Sequence, residues 1–219
     1  MWFAKLFRRR ASSSLPQPKT APPSPNPVYK RMFEQQPWFF GVLFAAVFLE
    51  PRLGIEKNEL ERLVSGLPEN LRPDATMWIS VYLAYVLFEL TAGKYGRDFA
   101  DDALSSMGQT NPKLKEGERI ENLDEIAKLL EFWFPRLDIA LNGSDAPQEM
   151  KDAPLELVAA ATFMNASPDG PLFVQGGEFE EICVKLAEAF AGATEQTLEK
   201  YKRAVEIGAP LEELGARGD

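Results

Sequence analysis

The sequence predicts an all-α fold, an irregular orthogonal bundle of about eight helices preceded by a disordered N-terminal tail. Beyond residue 28, apolar side chains recur every three or four positions, as they do on the buried face of a helix. Capping residues and Gly or Pro stop signals separate these stretches. The sequence has no sustained run of alternating polar and apolar residues and no repeat at a solenoid period. We therefore expect helices packed around one core, without a sheet and without stacked repeats.

The helical domain is predicted to span residues 28–210, followed by a frayed C-terminus over residues 211–219. Its first element is the uncharged run Trp38–Leu49, which ends before Pro51. Twelve residues fall short of the roughly 20 that span a bilayer, so the run suits a buried core helix. A short amphipathic helix is predicted next, over Glu56–Ser65.

The longest apolar helix is predicted over Ala75–Ala92, with Asp74 as its N-cap and Gly93 as its stop signal. Its length would also permit a membrane span, but Glu89 lies inside it and a carboxylate is costly in a bilayer. We therefore interpret it as the central helix of the bundle. Glu89 is expected to face solvent or to pair with one of the bases that follow it.

Five further helices complete the predicted bundle. They cover Arg97–Met107, the stretch after Asn122, Pro154–Asn165, Phe179–Phe190 and Leu198–Val205. Asn122, with a Glu three residues later, has the form of a capping box. Pro135 is predicted to kink or divide the helix that begins there, and Gly192 is predicted to separate the last two helices.

Charge divides the chain into two parts. The sequence has 24 Lys and Arg against 33 Asp and Glu, a formal net charge of −9. Seven of the basic residues, and none of the acidic ones, precede Glu34. The first 33 residues are therefore formally +7 and the rest −16. We call residues 34–219 the body of the protein. Its negative charge argues against a nucleic-acid partner.

The absence of histidine excludes most familiar catalytic designs. This chain alone has no Ser-His-Asp triad, no Cys-His pair and no His metal ligand. The single Cys183 excludes an intrachain disulfide and a zinc site of several thiolates. Cys183 lies on an apolar helix face, so we expect a small core residue rather than a nucleophile. We expect no cofactor, and favour a protein that is not an enzyme.

One enzymatic alternative remains, a helical enzyme that depends on carboxylates and magnesium. Asp98 and Asp102 are one helical turn apart and are the candidate ligands for a hard cation. Such a pair needs further carboxylates from a facing helix, for which Glu121, Asp124 and Glu125 are candidates. We favour a solvated acidic surface, because the chain holds 33 acidic residues.

The first ten residues form a basic aromatic peptide with two faces when they are drawn as a helix. One face is apolar and the other basic, the pattern of a helix that lies in a membrane interface. The residues concerned are Trp2, Phe3, Lys5, Leu6, Phe7, Arg8, Arg9 and Arg10. Residues 11–27, with three serines and six prolines, are predicted to form an extended, semi-rigid linker.

Three other interpretations of this peptide remain open. It also suits a peptide that folds into a groove on a partner protein. Because it lacks acidic residues and contains Arg and Ser, it is compatible in composition with a mitochondrial transit sequence. It also fits an inert tail.

The run Phe132, Trp133 and Phe134 cannot face one side of a helix in its entirety. Either some of these rings are exposed at an interface with a partner, or neighbouring helices bury them. Both interpretations stay open from the sequence alone.

These features predict a non-enzymatic helical interaction or adaptor module that binds a protein partner. Its basic peptide would tether it to an anionic membrane surface, in the cytoplasm at the inner face of a membrane. One alternative is an assembly subunit of a larger membrane complex, docked by the same peptide. A mitochondrial location is expected if the peptide is a transit sequence.

Overall fold

In a computed structural model, the chain is described over residues 57–106, 123–145, 148–165, 177–202 and 205, and these residues form helices without any strand. The all-α prediction is confirmed for this part of the chain. The described residues include six α-helices of eight or more residues, one four-residue helix and one 3-10 turn. They are α1 Lys57–Val64, the 3-10 turn Glu69–Leu71, α2 Arg72–Tyr95, α3 Arg97–Ser105, α4 Leu123–Asn142, α5 Gln148–Lys151, α6 Leu155–Asn165 and α7 Gly177–Lys202.

Several predictions fall outside the described residues. These are the peptide 1–10, the linker 11–27, the run Trp38–Leu49, the capping residue Asn122 and the C-terminus after residue 205. The predicted total of about eight helices is accordingly tested only in part.

Helix α2 lies at the centre of the bundle and packs against α1, α3, α4 and α7. Its buried residues lie all around its circumference, as expected for a helix covered on every side. It is the one described helix that is long and apolar enough to cross a membrane, and 61% of its most apolar window is buried inside the protein. The interpretation as the central core helix fits this packing.

The N-terminus of α2 differs from the prediction. The helix begins at Arg72, so Asp74 lies in its first turn and is not the N-cap. Leu71 holds the N-cap position without a side-chain hydrogen bond, and Pro73 lies in the first turn. Proline suits that position because its missing N–H would have no partner there. The carboxylate of Asp74 still lies near the positive end of the helix dipole.

The predicted stop at Gly93 is also wrong, because α2 continues to Tyr95. The helix ends at Gly96, whose φ of 94° is a backbone conformation that side-chain-bearing residues rarely adopt. The Gly96 N–H donates to the carbonyl of Ala92 at 2.9 Å. Backbone conformation, rather than the first glycine met along the sequence, determines where this helix stops.

The predicted break at Gly192 is wrong as well, because α7 is one continuous helix. A Cβ atom at Gly192 would lie 2.8 Å from Cδ2 of Leu63 in α1. The missing side chain therefore allows α1 to approach α7 closely. One long helix replaces the two that the sequence predicts.

Pro135 does not divide α4, which continues to Asn142. Trp133 and Leu137, on either side of the proline, are both fully buried, while Pro135 is exposed. The helix therefore continues past a residue that cannot donate the usual backbone hydrogen bond, with a buried side chain on each side of it.

Aromatic rings from four helices meet in the core. Phe163 of α6 contacts Trp133 of α4, with ring centroids 4.4 Å apart, and Phe190 of α7, at 5.7 Å. Trp78 and Tyr82 of α2 complete the cluster, 6.0 Å from Phe163 and 5.1 Å from Phe190 respectively. Such ring pairs stabilise a core beyond the area that they bury.

Candidate functional site

Polar side chains from two helices converge at the hydroxyl of Tyr85. The residue as a whole is only 4% exposed. Asn142 of α4 donates from Nδ2 to the Tyr85 hydroxyl at 3.2 Å and to Oδ1 of Asp138 at 3.1 Å. The ring of Phe134 packs edge-on against Tyr85, with centroids 5.5 Å apart. We call Tyr85, Asp138 and Asn142 the Tyr85 cluster. It joins the C-terminal halves of α2 and α4.

An ion pair between α2 and α3 borders this cluster. Nη2 of Arg97 donates to Oε1 of Glu89 at 3.1 Å, and the guanidinium lies 5.7 Å from the centre of the Phe88 ring. The expectation that Glu89 faces solvent or pairs with a following base is thereby confirmed. The two side chains are 61% and 36% exposed, so we expect the pair to contribute about 1 kcal/mol or less.

The environment of Tyr85 keeps its hydroxyl protonated. Burial raises the pKa of Tyr85 well above its usual value, and the carboxylates of Glu89 and Asp138 raise it further. Arg97 acts in the opposite direction with a smaller effect on that pKa. A neutral phenol can accept and donate hydrogen bonds, but it is not a base near neutral pH. What the structure shows of the Tyr85 cluster is a link between α2 and α4 through the hydrogen bonds of Asn142.

Two other titratable groups in the core are neutral for the same reason. Burial, followed by the charge of Glu156, raises the pKa of Tyr82 well above its usual value. Burial, followed by the charge of Glu180, raises the pKa of the Cys183 thiol to about 11. The prediction that Cys183 is a core residue is confirmed, because its side chain is buried and carries a free thiol. A thiol in this state is a poor nucleophile.

The candidate metal ligands Asp98 and Asp102 are both exposed on α3. Within the part of the chain that the structure describes, no three Cys, Asp or Glu side chains come close enough together to hold a metal ion. Glu125 is exposed on α4, while Glu121 and the side chain of Asp124 lie outside the described residues. The structure therefore brings no described carboxylate from another helix to Asp98 and Asp102.

The aromatic run of α4 is largely turned inward. Trp133 is 1% exposed, so it belongs to the core and not to a free interface. Phe134 is half-buried against α2, and Phe132 is half-buried with the guanidinium of Arg136 over its ring at 3.5 Å. For Trp133 the second interpretation of this run is correct, because neighbouring helices bury its side chain.

Sequence reasoning missed the Tyr85 cluster, because its members lie 57 residues apart in the chain and share no motif. The predicted membrane-binding residues, Trp2 to Arg10, lie outside the described residues and stay a prediction. Comparisons with protein-family models, with curated proteins and with solved structures find no match to this chain.

Proposed function

We propose that this protein is a non-enzymatic helical adaptor whose N-terminal peptide, residues 1–10, tethers it to an anionic membrane surface. The observation that carries the proposal is the segregation of charge. Seven basic residues and no acidic one precede Glu34, and all 33 acidic residues lie from Glu34 onward. An anionic surface attracts the first part and repels the second, so the peptide must make the contact.

The composition of the body supports this division of roles. The described helices turn their large apolar residues inward, and only Ile139 and Leu155 among them are more than half exposed. Two separate side chains offer little apolar area for insertion into a bilayer. The peptide, by contrast, combines four large apolar and four basic side chains within ten residues. Interfacial binding grows with both quantities.

The titratable groups support an adaptor rather than an enzyme. The chain has no histidine, and the pKa values of Tyr82, Tyr85 and Cys183 are all raised. These three groups are therefore protonated at neutral pH and are unsuited to act as a base or a nucleophile. We propose that the acidic body binds a protein partner. A tether raises the local concentration of the body at the membrane, and thereby the occupancy of that partner.

Co-sedimentation of the full chain with lipid vesicles tests the tether. We expect binding to vesicles with about 30% phosphatidylserine and none to pure phosphatidylcholine. In the tail variant, four basic residues are changed to Gln: Lys5, Arg8, Arg9 and Arg10. At about 1 kcal/mol for each charge, this variant should bind about 1000-fold more weakly.

A matched control removes four exposed lysines of the body in the same way. They are Lys94, Lys128, Lys151 and Lys202. This body variant should bind the anionic vesicles as the unaltered chain does, or slightly less. Equal losses in the two variants would show that binding follows net charge and not the peptide, and would overturn the proposal. Docking of the peptide in a protein groove would instead leave the unaltered chain unbound to any vesicle.

A further inference from the structure

Three arginines lie directly before three serines in the sequence, where the peptide 1–10 meets the linker 11–27. Ser12 has Arg10 two residues before it and Arg9 three residues before it, a combination that no other Ser or Thr of this sequence has. In an extended segment, the Cα atoms of these arginines lie about 7 and 10 Å from that of Ser12. A hydroxyl with two cations at such a spacing has the kind of charge pattern by which protein kinases select their substrates.

The described helices hold many of their own hydroxyl groups in helical backbone. Each of these side chains donates a hydrogen bond to the backbone carbonyl four residues earlier in the chain. They are Thr76, Ser80, Thr91, Ser106, Thr162 and Thr194. A kinase active site receives its substrate as an extended segment, so phosphorylation of these residues would require local unfolding of the body.

Ser65 is the described residue that most resembles Ser12, because Arg62 lies three residues before it. The hydroxyl of Ser65 donates to the carbonyl of Arg62 at 2.7 Å. Its own carbonyl accepts a hydrogen bond from Nη2 of Arg72 at 3.1 Å. Extension of the chain at Ser65 would break both hydrogen bonds. Ser65 therefore provides a matched comparison for Ser12, with one of the two arginines and a folded backbone.

We propose that Ser12 is phosphorylated by a serine kinase that selects arginines before the hydroxyl, and that the phosphate releases the peptide 1–10 from an anionic membrane. The inference rests on the proposed function, because it names the regulation of the same tether. In the reaction, Oγ of Ser12 bonds to the γ-phosphorus of ATP, and the bond from that phosphorus to the oxygen of ADP breaks. The hydroxyl proton passes to a carboxylate of the kinase.

Phosphate at Ser12 opposes the charge that holds the peptide on the membrane. It adds about −1.5 to −2 charges at neutral pH, two residues after Arg10. At the energy of one lipid contact per charge, the affinity for anionic vesicles falls about 10- to 30-fold. The body does not compensate for this loss, because it is formally −16 and an anionic surface repels it.

Incubation of the full chain with ATP and a kinase of this class tests the site. The enzyme is the catalytic subunit of cyclic-AMP-dependent protein kinase. We expect peptide mass spectrometry to find phosphate at Ser12 and none at Ser65. Ser12→Ala should abolish most of the phosphate incorporation, and Ser65→Ala is the matched control that should leave it unchanged. Absence of phosphate from Ser12, or equal amounts at Ser12 and Ser65, would overturn the assignment of the site.

Two triple variants separate the position of the added charge from its amount. In the linker variant, Ser12, Ser13 and Ser14 are changed to Glu, and this variant should bind anionic vesicles about 100-fold more weakly. The matched control places the same three charges on exposed serines of the body: Ser65, Ser105 and Ser144. Its affinity should stay within about twofold of that of the unaltered chain, because salt screens charges distant from the lipid. Equal losses would overturn release through the peptide.

Vesicle binding before and after phosphorylation separates this inference from the proposed function. The phosphorylated chain should bind vesicles with about 30% phosphatidylserine 10- to 30-fold more weakly than the unmodified chain, and a phosphatase should restore binding. Binding that is unchanged by phosphate at Ser12 would overturn the release and leave the tether in place. An unmodified chain that never binds these vesicles would overturn the tether and the release together, while phosphate at Ser12 would still support the kinase site.

Discussion

Among the described residues, Phe163 and Trp133 form the closest pair of aromatic rings. The ring of Phe163 lies 4.4 Å from that of Trp133 and 5.7 Å from that of Phe190, so it links α6 to α4 and α7. Phe163 has no exposed surface, and Trp133 is 1% exposed. Removal of either ring would leave a cavity that the surrounding helices can close only in part.

We predict that Trp133→Ala lowers the free energy of unfolding by about 3–5 kcal/mol. Ile139→Ala in the same helix is the control, because Ile139 is 68% exposed, and it should change stability by about 0.5 kcal/mol or less. Urea denaturation of the full chain measures both values. A similar small loss for both variants would show that Trp133 is not a core residue.

The thiol of Cys183 offers a second test at the scale of a single residue. Burial raises its pKa to about 11, from the value of 9 usual for an exposed thiol. At pH 8 we expect a thiol reagent to react about 100-fold more slowly with the folded chain than with the chain unfolded in urea. Comparable rates would show that Cys183 is exposed.

The raised pKa of Cys183 also sets the sign of a pH dependence. The neutral thiol favours the folded state below pH 9, and this contribution is lost as the pH rises towards 11. We therefore predict that urea denaturation shows falling stability over this range. Cys183→Ala should reduce the slope, while the buried tyrosines, whose pKa values are also raised, maintain the rest of it. An identical slope in the variant would show that Cys183 does not contribute to this pH dependence of stability.

Spacing along the chain predicts part of this core but not the polar contacts. Leu130, Trp133 and Leu137 recur at helical intervals, and all three are buried. The hydrogen bond between Asn142 and Tyr85 joins two helices that are distant in sequence. No local pattern encodes it, because it depends on how α2 and α4 pack.

At the scale of the helices, three glycines show what sequence patterns leave undetermined. Gly93 and Gly192 were both predicted to end helices, yet both lie inside continuous helices. Gly96 ends α2 because its backbone adopts φ 94°. Gly192 instead serves the packing of α7 against Leu63. A glycine in a sequence does not reveal which of these roles it has, since each is set by the surrounding backbone and by tertiary contacts.

We predict that alanine has opposite effects at Gly93 and Gly96. At Gly93 a Cβ meets no atom within 4 Å, so Gly93→Ala should stabilise the helix by about 0.5–1 kcal/mol. At Gly96 the backbone conformation is unfavourable for alanine, so Gly96→Ala should destabilise the protein by about 1–3 kcal/mol. Thermal unfolding compares the pair. Effects of the same sign would contradict the position at which α2 ends.

For the whole molecule, the composition and the overall pattern of the sequence predict more of its properties than any single motif does. The absence of histidine and the all-α pattern are both properties of the sequence, and the described helices agree with the second. The asymmetry of charge also follows from the sequence alone. The packing of α4 against α6 does not follow from the sequence, because it depends on the tertiary arrangement of the two helices.

The proposed membrane tether depends most directly on the attraction of residues 1–10 to anionic lipid. The measurement is the fraction of the unaltered full chain bound to vesicles as their phosphatidylserine content rises from zero, at a salt concentration of about 0.1 M. We predict negligible binding to neutral vesicles and a steep rise with anionic lipid content. Equal binding to neutral and anionic vesicles, or no binding to either, would contradict a tether formed by residues 1–10.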